Sequence, residues 1–519
     1  MLHQVIVVVA LLLTTTVSSR TRRGHVLLTP NPFCYSHQLN YYALGRDLVA
    51  SGYEVTVLRF LPRASVPAEF RVVDLNGTLS GHQLRADWNL AADTHMWLAE
   101  ANNRLDAIDA MAHLAIPSIF KPIIELADEP HLSATIPRLK AMNFTLVIVD
   151  QTLQLWTYML ANQLDVPYAL FTIGIDFFLS DRSIGTPDPF AYVPDVSTNG
   201  YDNRMDFVTR VDNVGSHLIF CGFLFYLGIE RVVEWTTAWR DVASRPAFAV
   251  RMNHDFFDYP RPKSPASVYV GRKKVKVQPD TSLFTVPMSS KRSYCVCPRT
   301  SAPPASTQVL MSFTTTGSKD IMPPYMDASS RAAFAKFPDV DFVWRSRARP
   351  ANSTEGNIRY MHWVDFDEFL SDPATVLFIS HAGLSGVLKA QRYGVPMLNV
   401  PLGFDHYAIS RRVVVSGAGL EVFKPQLHGD SFSRALETVL TDRSYKQRAR
   451  VLAQYFLDEE ERLMPADPLL YWVDFASRKA PHLHYFRTKG TRLASLNYFS
   501  LEFILLIPTC AVALLAYSY

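Results

Sequence analysis

Short apolar runs alternate with longer stretches of helical period, and they do so twice along the chain. "HVLLT" at 25–29 reads as a buried strand, as do "EVTVL" at 54–58, "TLVIVD" at 145–150 and "YALFTI" at 168–173. Between the first two, residues 36–53 place Leu39, Tyr42, Ala43, Leu44, Leu48 and Val49 at helical spacing and meet Gly52 as a stop. The second half repeats the plan with "VLMSF" at 309–313, "DFVWR" at 341–345, "VLFIS" at 376–380 and "PMLNV" at 396–400. Strand–helix–strand repetition demands parallel strands joined by right-handed crossovers. The pattern therefore predicts an α/β fold with two doubly wound domains, which would leave a cleft between them.

A chain of 519 residues exceeds one compact core, and a prior of about 150 residues per domain gives roughly three units or two large ones. The stretch 261–308, rich in Pro, Ser and basic residues, reads as a connector between an N-terminal domain at 20–260 and a second domain at 309–475. Residues 476–497 then form a C-terminal return segment. Formal net charge is +3 with both signs interleaved, which argues against a nucleic-acid partner. The densest basic run, "GRKKVKV" at 271–277, reads as solvated loop.

Both ends read as targeting segments. Residues 1–19 carry a short apolar core, Val5 to Leu13, followed by the small residues Val17, Ser18 and Ser19, as in a signal peptide. Residues 498–519 carry no charge from Phe503 to Tyr517. With Glu502 at the interface this span reaches the roughly 20 residues of a transmembrane helix. Together they predict a single-pass protein in contact with membrane lipid, its bulk luminal, in the endoplasmic reticulum or another secretory compartment. Cysteines number five, and Cys34, Cys221, Cys295, Cys297 and Cys510 have neither the spacing nor the histidine partners of a zinc site. Sequons at Asn76, Asn143 and Asn352 are candidate glycan sites on a translocated chain.

Ligands of doubly wound sheets bind outside the carboxyl ends of the strands. After the first strand comes Ser36-His37, at a helix start, where the positive end of the dipole favours the neutral imidazole a general base needs. After "TLVIV" comes Asp150. If the two meet, the carboxylate orients the ring; spacing alone equally allows His37 as a capping residue and Asp150 as the start of a turn. In the second half, "SFTTTGS" at 312–318 and the corner at His381, Gly383 and Gly386 suit phosphate oxygens on a helix N-terminus. Such a corner is also compatible with tight packing.

Six stretches in order together resemble the UDP-glycosyltransferase family, in particular the membrane-bound UDP-glucuronosyltransferases of animals. They are "SHQLNYYALGRDLVASGYEVTVL", "LVIVDQ", "PDPFAYVP" at 187–194, "DYPRPKSPASVYVG" at 258–271, "HWVDFDEFLSDPATVLFISHAGLSGVLKAQRYGVPMLNVPLGFDHYA" at 362–408, and "PLLYWVDFASRKAPHL" at 468–483 with the terminal segment beginning "SLEF". The resemblance implies two Rossmann-like domains of GT-B type facing across a cleft, with a C-terminal transmembrane helix. It implies metal-free, inverting transfer of a sugar, glucuronic acid or glucose, from a UDP-sugar co-substrate to a hydroxyl of a small lipophilic acceptor. His37 would be the base and Asp150 its support. Trp363 would stack on uracil, Thr315, His381 and Ser385 would hold the phosphates with Gly383 and Gly386 clearing the way, and Asp405 and His406 would face the sugar.

Departures from the family pattern are specific. Phe366 stands where a glutamine usually contacts uracil, Ser385 where an asparagine is usual, and Lys389 where a glutamate usually meets the ribose. His406 stands where a glutamine is usual; a histidine there accompanies galactose in some members, so the resemblance leaves the sugar open. Segment 272–308 matches nothing expected. Two functions follow: the membrane-anchored transferase, or a degenerate member acting as a membrane-anchored binding protein. Acceptor identity would lie in variable stretches such as 95–114 and 216–229, the latter reading as core; a homo-oligomer is compatible with the sequence, which does not fix the state.

Overall fold

The computed structural model describes residues 23–31, 35–59, 66–75, 130–150, 155–173, 192–194, 201–216, 246–270, 307–313, 322–346, 348–403, 405–428, 430–458 and 467–479. The expected signal peptide, the terminal apolar span, Thr315, the basic run 271–277, the stretches 95–114 and 217–229, and all five cysteines lie outside them. Among the described residues no helix is long and apolar enough to cross a membrane.

Two seven-stranded sheets carry the architecture. The first contains β1 (His25–Thr29), β2 (Glu54–Arg59), β3 (Arg71–Asp74), β4 (Leu146–Asp150), β5 (Tyr168–Thr172), β6 (Ala249–Arg251) and β7 (Ser267–Tyr269). Its order is β3-β2-β1-β4-β5-β6-β7, and every neighbouring pair is parallel. The second contains β8 (Thr307–Ser312), β9 (Val340–Arg345), β10 (Thr354–Glu355), β11 (Ile358–Met361), β12 (Thr375–Ser380), β13 (Met397–Asn399) and β14 (Gly419–Glu421). Its order is β10-β11-β9-β8-β12-β13-β14, antiparallel only between β10 and β11. All five residues of β1, β4 and β5 are buried. Strands covered on both faces are apolar through their middle, which is why 26–28, 146–149 and 169–171 stand out as unbroken runs, with the buried polar residues His25, Thr29, Asp150 and Thr172 at the strand ends.

Helix α1 (Tyr35–Ala50) follows β1. Its buried face runs through His37, Tyr41, Leu44 and Leu48, while Ala43, expected in that stripe, is exposed. The spacing i, i+4, i+7, i+11 is one helical face, so His37 is held on the side that packs against the sheet. Gly52 stops the helix with φ 92°, a left-handed conformation that glycine adopts without a Cβ penalty. Helices α2 (Pro130–Lys140) and α3 (Leu155–Leu164) complete the described helices flanking β4.

In the second half α4 (Pro324–Phe334), α5 (Phe366–Ser371), α6 (Leu384–Arg392), α7 (His406–Val415), α8 (Ser431–Thr441), α9 (Arg443–Asp458) and α10 (Pro468–Lys479) follow in order. One core layer joins α4 and α8 to one face of the second sheet; the other joins α6 and α7 to the opposite face.

Two boundaries drawn from composition move. The first sheet does not end at 260: β7 lies inside the stretch assigned to the connector, and β8 begins at Thr307. Three-residue strands such as β6 and β7 carry too little periodicity to read. The return to the first domain also starts before 476. Leu469, Val473 and Ala476 of α10 are buried in the core of the first sheet, and Thr145 donates to Ser477 Oγ at 3.3 Å. Burying the Leu and Val side chains contributes about 1.5–3 kcal/mol each, which anchors the C-terminal helix on the N-terminal half.

Candidate active site

Both sheets change strand direction of winding at a central pair, β1 beside β4 in the first and β8 beside β12 in the second. These are the switch points where open α/β sheets bind ligands. His37 and His381 follow β1 and β12, and Asp150 is the last residue of β4.

At the first switch point Asp150 closes β4, one residue beyond the Thr29–Val149 register pair. Helix α1 turns His37 back onto the same edge, and Nδ1 of His37 lies 2.9 Å from Oδ2 of Asp150. Asp150 is fully buried. The same oxygen accepts from the backbone N–H of Asn31 at 3.2 Å, and Gln38 Nε2 braces that loop by donating to Asn31 O at 3.0 Å. An ionised carboxylate only accepts, so the ring's proton sits on Nδ1 and the lone pair on Nε2. The arrangement can therefore take a proton at Nε2 and stabilise the resulting imidazolium.

At the second switch point β12 ends and α6 begins. Gly383 caps α6 in extended backbone with no side-chain cap bond, leaving the first amides of the helix to another acceptor. A Cβ at Gly383 would meet Nε2 of His381 at 2.5 Å, and one at Gly386 would meet the Phe378 ring at 3.2 Å. A side chain at Gly383 would force the His381 ring to move, whereas at Gly386 the Phe378 ring would have to give by a few tenths of an ångström. Burial pushes the His381 imidazole down to about 4, so at neutral pH it contributes a hydrogen-bonding edge and no charge. The His381 ring stands edge-on to His406, centroids 4.7 Å apart. Asp405 and His406 open α7, with Asp405 as its N-cap residue. Ser385 lies partly buried in the first turn of α6. Trp363 is 53% exposed and precedes the start of α5 by three residues.

The three departures have physical addresses. Phe366 turns inward and meets Phe378 edge-on at 5.4 Å, so its ring is used in packing. Asp365 caps α5 by accepting from the amides of Asp367 and Glu368. Lys389 is bound to Asp367, with Nζ on Oδ2, and Tyr393 donates to the other carboxylate oxygen at 3.3 Å. Sequence reading missed this pairing, because positions 367 and 389 meet only when α5 packs on α6. A Lys389→Glu substitution should consequently set two carboxylates against each other in a partly buried site and lower stability by about 1–3 kcal/mol. Adding Asp367→Asn should restore it; thermal melts of the single and double variants check this.

Among the described residues no group of three or more His, Cys, Asp or Glu side chains is placed to hold a metal ion.

The sequence model of the family described as "UDP-glucoronosyl and UDP-glucosyl transferase" matches residues 24–290 and 318–518. The chain belongs to this family and is a UDP-sugar glycosyltransferase. The match runs through 290, into the 272–308 segment expected to match nothing, and leaves 291–317, including Thr315, uncovered. It is 24% identical over 498 residues to UDP-glucuronosyltransferase 2C1 of Oryctolagus cuniculus, covering 93% of this chain and 94% of that one. It is 26% identical to UDP-glucuronosyltransferase 1A5 of Homo sapiens, covering 95% and 90%. It is likewise 26% identical to 2-hydroxyacylsphingosine 1-beta-galactosyltransferase of Rattus norvegicus, covering 73% and 68%. Among solved structures, spinosyn forosaminyltransferase SpnP superposes with TM-score 0.52 at 16% identity, covering 89% of this chain and 99% of that one. The calicheamicin glycosyltransferase CalG4 does so with TM-score 0.52 at 16% identity, covering 87% and 99%. These likenesses establish the GT-B glycosyltransferase fold.

Proposed function

We propose that the protein transfers a hexosyl group, glucuronosyl or glucosyl, from its UDP-sugar to a hydroxyl of a small lipophilic acceptor, with inversion at the anomeric carbon. The observation that carries this reading is the 2.9 Å contact between His37 Nδ1 and Asp150. Nε2 of His37 takes the acceptor's proton as its oxygen bonds to the anomeric carbon. The anomeric C–O bond to UDP breaks, and its electron pair leaves on the β-phosphate. The imidazolium that forms is stabilised by the buried carboxylate beside it. Charge growing on the leaving diphosphate is met by the open amides of α6 and the edge of His381. Asp405 and His406 accept and donate to the sugar hydroxyls, and Trp363 stacks on uracil.

The sugar is the part of this reading that a donor panel decides. Radiolabelled UDP-glucuronic acid, UDP-glucose and UDP-galactose, supplied with phenolic and steroid-like acceptors to the full chain in detergent, should give turnover with a glucuronosyl or glucosyl donor. Turnover confined to UDP-galactose would overturn the sugar assignment. No turnover with any donor, while UDP still raises the melting temperature, would overturn the catalytic role of His37.

The reading includes residence in the secretory membrane, through a signal peptide at 1–19 and an anchor at 498–519. Its support is that Asn143 and Asn352, two of the three sequons, are exposed, at φ 52° and φ 57°. Glycan removal by an endoglycosidase should raise electrophoretic mobility, and no shift from chain made in a secretory host would remove the luminal placement.

A further inference from the structure

A loop of the first sheet is built into the core of the second. Residues 252–266 leave β6 and return as β7, and on the way Phe257 is buried among Leu310, Phe378, Leu384 and Ala408. Beside it His254 stacks on Phe456 of α9, centroids 3.9 Å apart. The next residue, Asp258, is enclosed and collects four donors. Oδ1 accepts from the Tyr259 amide at 2.9 Å, from Arg261 Nη2 at 3.1 Å and from Arg412 Nη2 at 3.3 Å. Oδ2 accepts from the Tyr269 hydroxyl at 2.9 Å.

Arg412 belongs to the other half of the molecule. It lies on α7, six residues beyond His406 and seven beyond Asp405, nearly two turns along the helix. Only 1% of its side chain is exposed, against 5% for Asp258. Its Nη1 donates to Ala408 O of its own helix at 3.0 Å, and its guanidinium lies 4.3 Å over the Tyr259 ring. One arm of the fork thus bonds its own helix and the other bonds the first half. A lysine would have to reach both acceptors from a single nitrogen.

We propose that Asp258 and Arg412 are positioning residues for the transfer reaction: the buried pair sets the rotation of α7, and through it where Asp405 and His406 meet the donor sugar. Burial alone would drive the Asp258 carboxyl up; Arg261 and Arg412 outweigh it and hold the group at about 2, so the pair is ionised throughout the working range. Helix α7 spans ten residues, about 15 Å. A rotation of about 20° would move a side-chain tip at its N-terminus by about 2 Å. Displacements of that size are enough to lower a rate about a hundredfold. The proposal rests on the reading that Asp405 and His406 face the sugar.

The test uses the full chain with Asp258→Asn, Arg412→Lys and, as a milder change, Tyr269→Phe. Each is scored for kcat, for Kd of UDP, which lacks the sugar, for the ratio of kcat/KM between two UDP-hexoses, and for Tm. Asp258→Asn should lower kcat about thirtyfold or more and shrink the donor ratio at least fivefold, with Kd of UDP within threefold of the parent. Arg412→Lys should fall between Asp258→Asn and the parent. Parent values of kcat and donor ratio per folded molecule, with only Tm reduced, would show a purely structural pair and overturn the proposal. Should the charged-pair variants not fold, Tyr269→Phe decides: a several-fold loss of kcat with the same shrinkage supports it, and parent behaviour overturns it. Asp405→Asn is run alongside. If it leaves turnover and donor ratio intact, the sugar-facing reading fails and this proposal with it. If it lowers both while the Asp258 and Arg412 variants do not, this proposal alone fails.

Discussion

Replacing His37 with Ala should lower the transfer rate by about 10²–10⁴-fold, the range supplied by a positioned general base, while leaving the affinity for UDP unchanged. The split follows from where the residue sits. His37 is on α1 at the edge of the first sheet, whereas the groups assigned to UDP lie at the edge of the second. Removing the ring leaves Asp150 its backbone partner, the Asn31 amide, so the carboxylate is not abandoned in the interior. Steady-state turnover and calorimetric titration with UDP, run on one preparation, separate the two quantities. Parallel losses in both would give His37 a structural role.

Asp150→Asn should be nearly as damaging, by about 10²–10⁴-fold, for a subtler reason. The amide fills the same space, but Oδ2 serves both the Asn31 N–H and His37 Nδ1, so a single amide atom has to take its place. An amide oxygen there keeps both bonds and loses only the charge. An amide nitrogen there meets the Asn31 N–H donor to donor and presents a proton to His37 Nδ1 where the carboxylate accepted one. The ring then carries its hydrogen on Nε2 and has no lone pair to offer the acceptor hydroxyl. The imidazolium also loses its counter-charge. Because the shape is kept, Tm should change little relative to the rate, and a loss of fold as large as the loss of rate would speak against tautomer control.

How much of this was legible in the sequence depends on how local each feature is. β1 and β4 read directly, because strands buried on both faces are apolar through their middle. Helix α1 and its stop at Gly52 read from periodicity, though Tyr41 was missed and Ala43 wrongly placed inside, since a one-residue error in phase moves a side chain by 100°. The meeting of His37 with Asp150 was legible only as a possibility of topology. Spacing puts both at strand ends, but only the β1–β4 pairing makes those ends neighbours. Apart from β13, which lies within "PMLNV", the strands of two to four residues, β3, β6, β7, β10, β11 and β14, leave no periodic trace. The ion pair of Lys389 with Asp367 and the tie of Arg412 to Asp258 were invisible for the same reason: each joins elements whose contact is made by packing, over 22 and 154 positions of chain. "DYPRP" stands out as a motif, yet nothing local says that its aspartate reaches into the other half.

The most direct measurement is a double-mutant cycle on transfer rate, using the parent, His37→Ala, Asp150→Asn and the double variant. If Asp150 acts through the imidazole, nothing remains for it to orient once the ring is gone, and the double variant should match His37→Ala alone. Losses that multiply across the two sites would mean that carboxylate and imidazole work separately, and would contradict the account.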